Sequence, residues 1–587
     1  MAPHARVRAP ELVGRGGWIN TGGDRPDLSG KIVLLDFWTF CCANCLHVLD
    51  ELRELEAEFA DVLVTVGVHS PKFAHEADHD ALIAACERYG VHHPVLDDPD
   101  LTTWKAFAVR AWPTLTVVDP AGYVVAQMSG EGHAHGLRAL LTSLVAEFDA
   151  KGALRRGDSP YVAPEPEPTS LRFPGKVIAL PGGTYLVSDT SHHSIVELAA
   201  DGTSVLRRFG SGERGLADGS AEEAAFNEPQ GLLLLDDATA LVADTVNHAL
   251  REISLTTGQV RTVADARAGD QHTTTAQPSP WDLAWHADGE QVVVAMAGVH
   301  QLWSYHPASR KLDQWAGTTN EGLVDGNLAE AWFSQPSGLA ADRDGRIWIA
   351  DSESSALRFV EGESVQTAVG QGLFDFGLRD GDASQALLQH PLGVTALPDG
   401  SIAISDTYNG AIRRYDPADG QVTTLITGLK EPSDALVTED GDLLVVESAA
   451  HRLTRVKLPE SALRVEATAY RTQRPATEVA PGELELEVVF EPPPGEKMDD
   501  RYGPSTFVKI SASPAELLLD GAGGGVQLGR TLRLNPEITE GVLHVSAKAA
   551  SCDDGEFPAC HLHQQDWGIP VKLVRGATAR LPLVLRG

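Results

Sequence analysis

The chain has 587 residues, 47 of them basic and 82 acidic, for a formal charge of −35. So acidic a surface argues against nucleic acid or an anionic membrane as the main partner, since either would repel it. Six cysteines over this length do not make a disulfide scaffold, so a reducing, cytoplasmic setting is expected. No stretch approaches the ~20 apolar residues of a membrane span, and the basic N-terminus lacks the apolar core of a signal peptide.

The first strong element is Lys31–Thr39, a nearly continuous apolar run rich in β-branched and aromatic residues, which predicts a central strand. Cys41-Cys42-Ala43-Asn44-Cys45 follows at once. From Cys42 onward, Leu46, Val48, Leu49, Leu52 and Leu55 recur at helical spacing and place Cys42 near a helix N-terminus. Unpaired N–H groups and the positive dipole end favour a thiolate at such a position. Asp36 interrupts the apolar strand. A carboxyl buried there should titrate high and could exchange a proton with the second thiol. Pro113, in Ala111-Trp112-Pro113-Thr114, opens a further predicted strand, Leu115–Val118.

Three readings of the cysteines are open: a redox pair, a metal site built from Cys41, Cys42, Cys45 and His47, or inert thiols. A tetrahedral zinc site normally draws on two separated pairs, and no second pair lies nearby, which favours redox chemistry. Strand Val62–Gly67 and helices Asp78–Tyr89 and Leu137–Phe148 complete an α/β unit over residues 1–155, with a mostly parallel sheet expected between helices. Cys86, on the first of those helices, reads as core.

These residues resemble the thioredoxin superfamily, specifically its TlpA-like branch. The resemblance implies that Cys42 is the nucleophile, Cys45 the resolving thiol, Asp36 a buried proton carrier and Pro113 a cis-proline beside the disulfide. The sequence departs from that family at Cys41, where Trp is usual. A third thiol there could compete as nucleophile or shuffle the disulfide.

Residues 156–169 are proline-rich and read as an extended, semi-rigid linker. From 170 to 460 the chain repeats. Asp218-Gly219, Asp325-Gly326 and Asp380-Gly381 are each followed, twelve residues after the glycine, by Gly231, Gly338 and Gly393. Thirteen residues later come Asp244, Asp351 and Asp406. Degenerate copies end at Asp189, Ala295 and Glu447, making six units. Periods of 41 to 56 residues with short apolar strands and Gly/Asp turns predict a six-bladed β-propeller. The element Asp-Thr-x-Asn-x-x-hydrophobic-Arg, seen at Asp244–Arg251 and Asp406–Arg413, resembles NHL repeats. Each Asp is expected to cap its own turn rather than hold calcium or a ligand in the central channel. Arg251, Arg358, Arg413 and Arg455 recur at about one position per blade and are expected to brace neighbouring blades rather than bind an anion.

Residues 476–587 alternate in strand fashion and predict a small β-sandwich. It carries Cys552 and Cys560 around a Gly/Pro-containing loop short enough for a disulfide. This segment resembles the immunoglobulin-like amino-terminal domain of the transmembrane thiol-disulfide reductases, which implies an electron relay from Cys42/Cys45. Unlinked or structurally paired cysteines, and a metal site with His561 and His563, remain open beside it.

The whole order resembles the NHL-repeat-containing protein 2 family, through Phe40-Cys-Cys-Ala-Asn-Cys-Leu-His47, Gly67-Val-His-Ser-Pro-Lys-Phe73, His93-Pro94-Val95 and Trp112-Pro113-Thr114. The expected function is a soluble thiol-disulfide oxidoreductase that acts on a client protein's disulfide or thiol. It needs no cofactor or metal, and the propeller presents a face to a protein partner. The alternative is an interaction scaffold whose thioredoxin-like domain is catalytically idle.

Overall fold

The computed structural model describes residues 7–165, 168–267, 277–457, 476–492, 496–498, 504–553 and 560–586. The N-terminal unit is a seven-stranded sheet: β1 (Val7–Arg8), β2 (Gly17–Ile19), β3 (Ile32–Trp38), β4 (Leu63–His69), β5 (Val95–Asp97), β6 (Thr114–Val118) and β7 (Tyr123–Ser129), in the order β1-β7-β6-β3-β4-β5-β2. Helices α1 (Ala43–Glu58), α2 (His79–Arg88), α3 (Thr102–Ala106) and α4 (Ala134–Ala150) cover it. All seven residues of β3 are buried. Ile32 and Leu34 pack against Val48, Leu52, Leu137 and Leu141 on one face, while Val33, Leu35 and Phe37 meet Trp104 and Phe107 on the other. A strand covered on both faces needs no polar alternation. The expected mostly parallel sheet is corrected. Only β3–β4 and β4–β5 are parallel; β1–β7, β2–β5, β3–β6 and β6–β7 are antiparallel. The β6–β7 hairpin and the early edge strands need no crossover helix.

The proline-rich segment is pinned to this unit. Gly157 and Val162 donate backbone N–H groups to Asp61 and Asn20 carbonyls, and Arg156 pairs with Asp61 and Asp149.

Six antiparallel sheets follow between residues 177 and 456. Their innermost strands (Val177–Ala179, Pro229–Asp236, Pro280–Trp285, Pro336–Ala341, Gly393–Ala396, Pro432–Val437) lie side by side and close a ring. The Pro-x-Gly element marks where these strands crowd together. A Cβ on Gly231 would stand 2.6 Å from Asp282 Cα of the next blade. Lys176 fills the space between the blades: its Nζ reaches Asp282 Oδ2 at 3.0 Å and donates to Leu392 O at 2.7 Å. An ammonium group thus occupies the centre where a channel ligand would sit.

The repeated acids do more than cap their own turns. Asp244, Asp351 and Asp406 each accept the backbone N–H seventeen residues upstream, from Asn227, Ser334 and Gln389. Asp189 and Glu447 do the same for Arg172 and Lys430. Own-turn capping is present at Asn247 and Asn409, which donate to Asp244 and Asp406. Arg251, Arg358 and Arg413 are fully buried and bond these aspartates with one guanidinium nitrogen. The other nitrogen reaches Asp218, Asp325 and Asp380, thirty-three residues upstream. Those earlier Asp-Gly pairs are therefore the second anchor of a three-point clamp, which explains their fixed offset. Arg455 departs from the pattern: its side chain is 37% exposed and lies 3.6 Å from Asp440.

Between blades, a second set of contacts repeats. His193, His248, His300, Ser355 and His451 each end a short turn or lie at its close with positive φ, between 48° and 56°. Each accepts the backbone N–H of the residue preceding the next blade's first strand or its proline: Glu228, Ser279, Gln335, His390 and Phe173. His451 to Phe173 joins the sixth blade to the first. An Nδ1 that accepts must be unprotonated. Burial pushes His193 and His248 down to about 3 and lowers His300 and His451 as well. The unfolded chain takes up these protons near pH ~6.5, so the folded state loses stability as pH falls from there toward 3. The slope reaches about 1.4 kcal/mol per pH unit for each fully buried ring. Urea midpoints should drop between about pH 7 and pH 5, and His248→Asn, whose amide oxygen also accepts, should flatten the drop. Equal slopes for both proteins would refute this account.

The C-terminal unit packs a six-stranded against a four-stranded sheet around Leu484, Leu486, Val508, Ile510, Leu532, Leu543 and Trp567. Its longest element is a hairpin of two fourteen-residue strands, Glu540–Asp553 and Cys560–Leu573. Cys552 and Cys560 belong to these strands and stand directly opposite one another, rather than in a loop beyond them. Opposed positions in an antiparallel pair place Cα atoms about 4.5–5.5 Å apart, within disulfide range.

Candidate functional site

Cys42 is the N-cap of α1: its backbone is extended, and its sulfur accepts the Cys45 N–H at 3.4 Å. It is half-buried, whereas Cys45 is sealed within the domain. Burial, then the bond to Cys42 and the Cys42 and Asp36 charges, raise the Cys45 thiol well above the ordinary thiol range. Asp36 lies in β3, completely buried, with neither oxygen bonded among the described residues. Burial, with a lesser contribution from the Glu56 charge, raises its carboxyl well above the usual carboxylate range. The Trp112–Pro113 peptide is cis.

Cys41 has a different environment. Its backbone N–H donates to Glu76 Oε1 at 2.9 Å, and its thiol donates to Glu353 Oε1 of the propeller at 3.2 Å. Burial first, then the Glu353 and Glu76 charges, push this thiol well up. Lys72 sits beside it, paired with Glu353 and with Glu321 at 3.7 Å. Burial alone would lower the Lys72 ammonium, but those carboxylates outweigh it and hold the charge. Cys41 is therefore a protonated contact between two domains, and Cys42 is the thiol turned toward open space. His47 cannot join a thiol cluster: its ring nitrogens engage Glu131 Oε2 and Ser279 Oγ, both at 2.7 Å. Among the described residues no set of three His, Cys, Asp or Glu side chains is placed to hold a metal. His561 and the Cys552 and Cys560 side chains lie outside what the structure describes, while His563 Nε2 bonds Ser551 Oγ at 2.9 Å.

The thioredoxin-like unit docks on a ring of six propeller residues, each directly before a proline and each with left-handed φ: Phe173, Glu228, Ser279, Gln335, His390 and Glu431. Gln335 bonds the α1 N-terminus, accepting from Ala43 N–H and donating to Cys41 O at 3.0 Å. Glu431 accepts from His75 and Arg88, and Arg88 also lies over the Phe173 ring at 4.6 Å. The His390 ring meets Phe73 at 5.3 Å. Glu228 reaches α1 through Arg214, which also stands 3.6 Å from Asp50. Sequence reasoning missed this ring, although its signal is present: the residue before the proline that opens each blade.

All three units meet at a cavity of about 350 Å³ onto which Cys42 opens. Lys72 and Trp112 line it from the first unit, Glu321, Trp332 and Phe374 from the propeller, and Lys509, His544 and Trp567 from the sandwich. Cys552 and Cys560 lie six ladder steps beyond Ser546, the cavity-lining residue nearest them on their strand, or about 20 Å along the strands. In this arrangement Cys42 does not reach that pair.

A thioredoxin-like family model matches residues 30–124, and an NHL repeat model matches residues 333–358. NHL repeat-containing protein 2 of Gallus gallus is 35% identical over 511 residues, which cover 77% of this chain and 70% of that protein. The chain belongs to the NHL repeat-containing protein 2 family. Protein SUPPRESSOR OF QUENCHING 1, chloroplastic, of Arabidopsis thaliana is 38% identical over 484 residues, and the match spans only 46% of that longer protein. Within the family's first domain the likeness extends to the Bacillus subtilis thiol-disulfide oxidoreductase YkuV, 26% identical over 145 residues, 24% of this chain and 98% of YkuV. This family member therefore joins a thioredoxin-like domain, which has thiol-disulfide oxidoreductases among its relatives, to an NHL-repeat propeller. Among its described residues no helix is long and apolar enough to cross a membrane.

Proposed function

We propose that the protein is a thiol-disulfide oxidoreductase in which Cys42 attacks and Cys45 resolves. The observation that carries this reading is the Cys42 sulfur at the α1 N-cap, facing a cavity, with the Cys45 N–H bonded to it and Cys45 sealed behind. The Cys42 thiolate attacks one sulfur of a disulfide, forming a mixed disulfide and releasing a thiolate. Cys45 then gives its proton to Asp36 and attacks Cys42, releasing the second thiolate and closing the Cys42–Cys45 disulfide. The order suits the environments. Cys45 stays protonated until the mixed disulfide removes the neighbouring charge, and the buried carboxyl, whose pKa burial raises, is a stronger base than an exposed one for the proton that Cys45 releases.

The proposal includes a reducing, cytoplasm-like compartment, which keeps Cys41 and Cys86 as thiols. The propeller face that carries the six pre-proline residues is taken by the thioredoxin-like domain, so a protein partner would use the opposite face. Handover to Cys552/Cys560 would require the sandwich to move, since about 20 Å of ladder separates that pair from Ser546 at the cavity edge.

The test is Cys45→Ser. It should accumulate a covalent adduct on Cys42 that the wild type does not hold, seen by non-reducing mass spectrometry and lost in the Cys42→Ser, Cys45→Ser double variant. If no adduct forms and the wild type exchanges with no disulfide offered, the redox reading is wrong.

A further inference from the structure

The three-domain cavity indicates what Cys42 can accept. A folded client engages its partner over about 800 Å² of surface on each side. The ground around Cys42 offers no such face. Gln335 already bonds Ala43 N–H and Cys41 O, Glu353 covers Cys41, and the sandwich closes the far side through Lys509, His544 and Trp567. The fit is tight where the domains meet: a Cβ on Gly568 would fall 1.8 Å from the Phe374 ring. What remains is about 350 Å³ of space, within the 300–1,000 Å³ of small-molecule sites.

Its walls also carry a charge preference. Two cations face it. The Lys72 ammonium is committed to Glu353 and Glu321. Lys509 differs: its ammonium lies 4.0 Å from the Trp332 ring centroid, and among the described residues it pairs with no carboxylate. A half-buried ammonium held over an aromatic face is a ready partner for an anion. His544, which burial pushes down to about 4, is neutral near pH ~7 and bonds Ser513 Oγ at 3.0 Å, so it adds a polar contact without charge. Trp332, Trp567 and Phe374 supply apolar wall.

We propose that this cavity binds a low-molecular-weight disulfide bearing a carboxylate, with its S–S bond toward Cys42 and its carboxylate toward Lys509. The proposal rests on the redox reading above and names the substrate class of that site. The exchange balances. Cys42 and Cys45 thiols are oxidised to one disulfide, the bound disulfide is reduced to two thiols, and both protons pass to the departing sulfurs, one through Asp36.

The test compares three disulfides on the pre-reduced full-length protein: glutathione disulfide, which carries carboxylates; cystamine, which is small but cationic; and insulin, a folded protein. Stopped-flow or quenched assays read the loss of the Cys42/Cys45 thiols. Glutathione disulfide should react at least tenfold faster than cystamine or insulin. The ratio of glutathione disulfide to cystamine rates should fall about tenfold in Lys509→Met, invert in Lys509→Glu and recover in Lys509→Arg. Faster reaction of insulin or cystamine, or a ratio untouched by all three Lys509 variants, would overturn this proposal and leave the redox reading standing. Failure of all three disulfides to react would remove both.

Discussion

Replacing Arg358 by methionine should cost the propeller about 3–5 kcal/mol, the range for breaking one side of a buried ion pair. The reason is what the change leaves behind. Arg358 is fully buried and bonds Asp351 Oδ2 at 3.2 Å, Asp325 Oδ1 at 3.0 Å, Val324 O at 2.8 Å and Trp332 O. Methionine fills the volume but satisfies none of these acceptors, and Asp351 stays fully buried. Burial already raises that carboxyl above its usual range, with Arg358 opposing the shift. Without the guanidinium the carboxyl can relieve itself only by taking a proton, so the loss should be smaller at about pH 5 than at about pH 8. Arg251 and Arg413 occupy the same clamp in their own blades and should behave alike. Arg455→Met is the control: its pair with Asp440 is exposed, and its loss should stay within about 1 kcal/mol. Urea unfolding at both pH values reads all four variants. Equal losses for Arg358→Met and Arg455→Met would mean the clamp does not hold the blade.

That clamp also shows how far sequence could carry the fold. The constant spacing of Asp218, Gly231 and Asp244, and of their two sets of counterparts, marks three blades, and the degenerate copies ending at Asp189, Ala295 and Glu447 supply the other three. Arg251 holds both ends of that spacing, bonding Asp218 and Asp244, while Gly231 lies where the next blade crowds in. What the offsets do not tell is which atoms meet. The Asp-Gly pair reads as a turn, yet its carboxylate is the far anchor of an arginine thirty-three residues later. In the first domain, β3, the α1 cap and Pro113 follow from local pattern, because each depends on neighbours in the chain. Strand direction does not follow from local pattern: the antiparallel β6–β7 hairpin stands where a crossover is expected.

The least legible features are those between domains. Gln335, His390 and Glu431 have no common chemistry; only their place before a proline unites them, and each meets a different thioredoxin-like residue. Cys41 reads from sequence as a spare nucleophile because sequence cannot show Glu353, more than three hundred residues away, accepting a hydrogen bond from its thiol. The cavity is likewise assembled from segments that no single pattern connects. Such contacts are single side-chain pairings, and nothing repeats to reveal them.

Asp36→Asn should slow the resolving step about 10²-fold, the lower end of what a positioned general base contributes, while leaving the first attack by Cys42 nearly unchanged. The two steps separate because only the second has to deprotonate a buried thiol, and Asp36 is among the groups whose charge acts on Cys45. As a base, Asp36 must be ionised, so the wild-type resolving rate should rise with pH through its titration, which burial has moved well above the usual carboxylate range. The amide cannot titrate, and that limb should vanish. Stability gives an independent readout of opposite sign. A carboxyl whose folded pKa is raised binds more protons folded than unfolded, so it erodes stability as pH climbs above its ordinary value near 3.9. Asp36→Asn removes that erosion. Its urea midpoint should exceed the wild type's at neutral pH and converge with it in acid, where the carboxyl is protonated in both states. Rapid quenching of the Cys42 mixed disulfide, followed by mass spectrometry across a pH series, reads the kinetics. A variant that gains stability but resolves within twofold of wild type would show that the carboxyl is buried for some other reason and that another group takes the Cys45 proton.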